Sequence, residues 1–181
     1  MVTREMDTRA LSNTHSVATC TDFEYKKRNA SLEAADTKVP LSAAWLGGLG
    51  ALPFIGLAGA MPFITGAPRL FVAHALLAYG ATILSFLGGV HWGLAIRSPG
   101  SIDDGQLKGR LIVSVVPSLA AWIALLIGNT TGLLILAIAV AAMLVVDLRA
   151  SRLGPAPTWY AKLRIPLTCI VVTTLLIGAT F

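Results

Sequence analysis

The sequence predicts an all-α polytopic membrane protein, a bundle of five transmembrane helices preceded by a polar N-terminal tail. Three observations predict it. Leu70 to Ile96 is a run of 27 residues without a single Asp, Glu, Lys or Arg. As a helix it would measure roughly 40 Å, enough to cross a ~30 Å hydrocarbon core with tilt. Hydrophobic residues make up 55% of the chain and charged residues only 13%, about half the share usual in soluble domains. Finally, a five-span arrangement puts 13 of the 14 Lys and Arg on one side of the membrane.

The elements follow in order. Met1 to Val39 carries six basic and six acidic residues and no apolar run long enough for a signal-peptide core. It reads as a disordered cytosolic tail, or as an extension upstream of a start at Met6. Pro40 suits the opening position of the first span, Leu41 to about Thr65. That span is rich in glycine and contains Pro53 and Pro62, so it reads as one kinked helix. A helix followed by a shallow re-entrant piece from Ala58 is the alternative. The short link Gly66 to Arg69 makes the first two spans an antiparallel hairpin.

The second span, Leu70 to Ile96, shows Ala81, Ser85, Gly89 and Gly93 at every fourth position. Such a ladder of small side chains lets another helix approach closely, and the glycine-rich first span is the expected partner. Ser98 to Arg110 reads as a polar loop. The third span, Leu111 to Gly128, holds Pro117 and Trp122. Asn129 to Thr131 reads as a tight turn before the fourth span, Leu133 to Leu148. Arg149 to Arg164 reads as a second polar loop, with Trp159, Tyr160, Lys162 and Arg164 at headgroup level. The fifth span, Ile165 to Phe181, has Pro166 in its first turn.

The cations orient this array. The tail and the loops after spans two and four carry every Lys and Arg except Arg69. The positive-inside rule puts the N-terminus in the cytoplasm and the C-terminus on the opposite side. Trp45, Trp92 and Trp159 then fall near the cytoplasmic boundary.

The residues PFIGLAGAMPF and AYGATILSFLGGVHWGLAI resemble the signature of the domain of unknown function 3429 family, from roughly Leu41 to Phe181. The family includes bacterial inner-membrane proteins and animal transmembrane proteins. The resemblance implies a helical integral membrane protein and brings no catalytic residue or cofactor to carry over. It points to a bacterial inner membrane, or to the mitochondrial inner membrane for a eukaryotic source.

Candidate chemistry is sparse, and no catalytic residue is assigned. His74 and His91 are 17 residues apart, about 25 Å along a helix axis, so they cannot share a metal or the two axial positions of one haem. No metal site or cofactor is expected. His91 and Trp92 are expected to act as interfacial or packing residues, and Asp147 to pair with Arg149 at the end of the fourth span. Tyr79 needs one partner across the bundle, whereas Thr82 and Ser85 can bond back to the preceding helical turn.

If any place is a functional centre, it is His91, Trp92 and Asp147. His91 and Asp147 lie on the same side of the membrane. They could hydrogen-bond, or they could point to separate patches of headgroup, and the sequence does not choose.

Three functions are compatible. The first expectation is a scaffold, accessory or assembly protein of a membrane complex. The others are a channel or transporter subunit, and a membrane enzyme or redox-cofactor protein using His91, Trp92 and Asp147. The expected partners are the lipid bilayer, other membrane proteins or a second copy of the chain, and no nucleic acid.

Overall fold

The computed structural model describes residues 38–96, 104–152 and 156–181. The polar tail lies outside these residues apart from its last two positions. Five helices follow one another: α1 (Leu41–Ala60), α2 (Ala67–Ile96), α3 (Asp104–Ile127), α4 (Asn129–Arg152) and α5 (Thr158–Thr180). A short 3-10 turn, Met61–Phe63, ends α1. No strand is present among the described residues. All five helices are long and apolar enough to span a bilayer, counting α1 together with its 3-10 turn.

α2 is the central helix and touches each of the other four. Its buried positions include Leu77, Ala81, Leu84, Leu87, Gly88, His91 and Ala95. All but Leu87, which flanks Gly88, recur at alternating four- and three-residue steps, the spacing that keeps one face of a 3.6-residue helix inward. The core they form takes Leu133, Leu136, Val140 and Met143 from α4, Val171 and Leu175 from α5, Ala121 and Ala124 from α3, Phe54 from α1 and Met61 from the 3-10 turn. Large apolar side chains such as Trp45, Phe86, Trp122 and Leu126 lie on the outside, where lipid is their solvent.

The expected ladder on α2 is only partly a contact surface. Ala81 is buried and Ser85 half-buried, but Gly89 and Gly93 are exposed, and a Cβ added at either would meet nothing within 4 Å. The reason is geometric. Four residues turn a helix by about 400°, so each step advances the ladder about 40° and three steps carry it about 120° off the buried face.

Close approach comes from other glycines. A Cβ on Gly88 would strike the backbone carbonyl of Ser114 in α3. One on Gly132 in α4 would lie 2.5 Å from the carbonyl oxygen of Ala124. These two positions let α3 lie tightly against α2 and α4.

Four helices extend further than hydropathy indicates. α2 begins at Ala67, so most of the expected Gly66 to Arg69 link is its first turn. α3 begins at Asp104, α4 includes Asn129 to Thr131 at one end and continues to Arg152 at the other, and α5 begins at Thr158. Hydropathy marks the hydrocarbon layer, whereas the hydrogen-bond ladder continues into the headgroups wherever good helix formers such as Gln, Leu, Lys and Arg allow it. Hence Pro166 lies inside α5 and not in its first turn.

Pro53 sits within α1, which runs unbroken through Ala60 and leaves only the 3-10 turn beyond Ala58. The α3–α4 link needs two left-handed residues, Gly128 (φ 65°) and Asn129 (φ 51°). Glycine and asparagine adopt that conformation most readily.

The α1–α2 end holds Arg69. Its Nε donates to the Ile64 carbonyl at 2.7 Å, and its guanidinium lies 5.5 Å from the centre of the Phe181 ring. Arg69 thereby ties the first hairpin to the C-terminus.

Candidate functional site: a buried carboxylate between three helices

The site is built at the opposite, cation-rich end, where α2, α4 and α5 each place a polar residue on their buried stripe. On α4 the stripe Leu133, Leu136, Val140, Met143 continues in phase to Asp147. On α5, Val171 and Thr168 lead to Arg164, and on α2, Leu84 and Leu87 lead to His91. Asp147 and His91 each lie five residues before the end of their helix, and Arg164 six residues after the start of its own. The three therefore form one layer, about 7–9 Å in from the helix ends.

Asp147 is fully enclosed, with 0% exposure. Its Oδ1 is 2.7 Å from His91 Nε2 and also accepts from the Tyr160 hydroxyl at 3.3 Å. Its Oδ2 accepts from Arg164 Nε at 2.6 Å. His91 and Arg164 are themselves only 8% and 7% exposed. Carboxylate and guanidinium cancel each other's charge where water cannot, which is what a buried charge requires. His91 holds its proton on Nε2 in this arrangement, either as the neutral tautomer or as the imidazolium, since a carboxylate can only accept. The guanidinium is not fully used: Arg164 Nη2 is buried and has no acceptor.

The structure thus brings His91 and Asp147 together and leaves Trp92 out. Trp92 is 46% exposed on the outer face of α2 and makes none of the cluster's hydrogen bonds. The expected partner of Asp147 also changes. Arg149, two residues on, turns about 200° away around the helix and is exposed. The partner is Arg164.

Sequence reasoning missed Arg164 and Tyr160 as site residues because it placed both in a polar loop. The signal was present in the spacing. Arg164, Thr168, Val171 and Leu175 recur at four, three and four residues, a buried stripe that begins before Ile165.

Tyr79 finds its partner on α1, donating to the Gly50 carbonyl at 2.9 Å beside the Phe54 ring, 4.9 Å between centroids. Thr82 bonds back to Ala78. Among the described residues no three His, Cys, Asp or Glu side chains are grouped to hold a metal ion. Cys169 is exposed on α5, and Cys20 lies outside the described residues.

Two hollows flank the cluster. A cleft of about 410 Å³ between α2, α3 and α4 has His91, Gln106, Arg110 and Arg149 in its lining. An apolar groove of about 460 Å³ lies between α1, α2 and α5, bordered by Tyr160 and Arg164.

Residues 39–180 match the family model described as protein of unknown function (DUF3429). The chain belongs to the DUF3429 family. Among curated relatives, transmembrane protein 69 of Xenopus tropicalis is 36% identical over 185 residues, covering 93% of this chain and 70% of the frog protein. Transmembrane protein 69 of Mus musculus is 31% identical over 128 residues, covering 65% of this chain and half of the mouse protein. No solved structure matches the chain significantly. The DUF3429 region corresponds to the five-helix bundle, so this chain is a multi-pass membrane protein of that family.

Proposed function

We propose that the protein is an accessory or assembly subunit of a larger membrane complex, a rigid five-helix body that other membrane proteins pack against. The observation that carries this reading is how Asp147 is used. Its two oxygens take three donors from two other helices, and no part of it is exposed. A carboxylate so enclosed works as a lock between α2, α4 and α5. In this reading the buried ion pair selects one arrangement of α2, α4 and α5 over others.

The outer faces support the reading too, with large side chains such as Trp45, Phe86 and Trp122 available for contact. The positive-inside rule supports a cytoplasmic position for the cation-rich end, or a matrix position in a mitochondrion.

The test is migration on a native gel after extraction in a mild detergent, combined with cross-linking in intact membranes. A subunit migrates well above its own detergent-bound mass and cross-links to defined protein partners. A single species at the monomer mass, with no protein cross-links, refutes the proposal.

One observation favours a second reading. His91 joins the lock through Nε2 and also lines the 410 Å³ cleft, so its ring connects the buried carboxylate to an open space. A membrane enzyme or redox protein would use such a ring to handle a proton or a bound group. A chromophore or small molecule that co-purifies with the wild type and is lost in His91→Gln would favour this reading over the first.

A further inference from the structure

The cleft between α2, α3 and α4 has a chemistry that the lock does not use. Its walls are Leu94, Ala95, Val113 and Val146, and its polar lining is His91, Gln106, Arg110 and Arg149. Arg110 is half-buried, Arg149 is exposed, and neither forms a salt bridge with any described carboxylate. Asp147, the acid nearest in sequence to Arg149, is already neutralised by Arg164.

Two arginines from different helices therefore converge on one hollow with no described carboxylate paired to either, and Gln106 adds amide donors. The 92% buried ring of His91 lines the same hollow and bears no negative charge in any protonation state. The cleft is thus cationic, donor-rich and apolar-walled. Its volume lies within the ~300–1,000 Å³ of ligand-holding sites.

Its depth narrows the choice of ligand. Arg110 lies six residues inside the start of α3, and Arg149 three residues before the end of α4. Both are within about 5–9 Å of the helix ends, the level of the headgroup layer. Basic pockets between transmembrane helices at this level suit anionic headgroups, and guanidinium forks match phosphate oxygens.

We propose that the cleft binds a phosphate group, contacted by Arg110, Arg149 and Gln106 and supplied by an anionic phospholipid whose chain lies along Val113 and Val146. The inference goes beyond the accessory-subunit reading and does not depend on it.

The experiment uses the full-length protein in nanodiscs of phosphatidylcholine into which phosphatidylglycerol is titrated, with bound lipid counted by native mass spectrometry and thermal stability followed in parallel. Variants Arg110→Gln and Arg149→Gln leave the Asp147 lock intact. Arg152→Gln, an equal loss of charge at an exposed residue outside the cleft lining, is the control.

Each cleft variant is expected to lower phosphatidylglycerol retention about fivefold, the equivalent of about 1 kcal/mol per cation, while the control retains it. A parallel arm adds inorganic phosphate to protein in a zwitterionic detergent. Stabilisation by inorganic phosphate that the cleft variants abolish keeps the phosphate site but overturns the lipid as its source. Equal lipid retention in wild type and cleft variants, or an equal loss in Arg152→Gln, overturns the site itself.

Discussion

Removing Asp147 should cost far more than removing Arg164, although the two form one ion pair. Asp147→Leu leaves a guanidinium that is 7% exposed and has lost its only side-chain acceptor among the described residues. Breaking a buried pair in this way costs about 3–5 kcal/mol. Arg164→Met leaves the carboxylate with two donors, His91 Nε2 and the Tyr160 hydroxyl. With two of its three donors kept, the loss should be about 1–3 kcal/mol.

The double variant Asp147→Leu/Arg164→Met removes both charges and fills the site with apolar groups. Such replacements are often neutral, so it is expected within about 1 kcal/mol of wild type. The coupling between the two positions, the two single losses less that of the double variant, should then be at least about 3 kcal/mol. The assay is reversible unfolding of the purified protein in mixed micelles, titrated with a denaturing detergent and followed by tryptophan fluorescence. Additive single-variant losses, or an Asp147→Leu loss below about 1 kcal/mol, would falsify the lock.

Other expectations concern packing and orientation. Gly88→Ala should destabilise by about 1–3 kcal/mol, because the new methyl meets a backbone carbonyl that cannot step aside. Gly89→Ala, one residue on and facing open space, should stay within about 0.5 kcal/mol. The same unfolding assay reads both, and equal effects would refute the assigned face of α2. Tyr79→Phe keeps the ring contact with Phe54 but loses the bond to the Gly50 carbonyl; a loss of about 0.5–1.5 kcal/mol is expected, and no loss would remove that bond from the account of how α1 is held. For orientation, reporter fusions after Asp104 and Pro155 should report cytoplasm, and fusions after Gly66 and Thr130 the opposite side. A reversed signal at Asp104 would sink the five-span topology.

Much of the fold was legible because the bilayer imposes one requirement, about 20 apolar residues per span, that composition alone exposes. The five helices and the α1–α2 hairpin follow from it. Helix ends do not, because nothing in hydropathy tells a helix to stop where the hydrocarbon stops. That single misjudgement moved Arg164 from a helix into a loop and concealed the acceptor of its charge.

Reading the small-residue ladder at a strict four-residue step had a similar origin. The true buried faces alternate threes and fours, and on that period His91, Asp147 and Arg164 all fall inward. Their meeting was therefore written in the phase of three helices, while the order in which the helices neighbour one another was not. The two hollows depend on that neighbour order and have no sequence signal of their own.

The separation of Asp147 and Arg164 along the chain has a consequence for biogenesis. The ribosome delivers α2 with His91 first, then α4 with Asp147, and α5 with Arg164 last. Until α5 arrives, Asp147 has only His91 of its three donors, and Arg164 entering alone would carry an unpaired cation about 9 Å into its helix. Each charge lowers the barrier to the other's entry. The final helix is therefore the one that completes the buried charge pair. A nascent chain halted before Arg164 should remain in the hands of the insertion machinery, while one extended through Thr180 should be released into lipid.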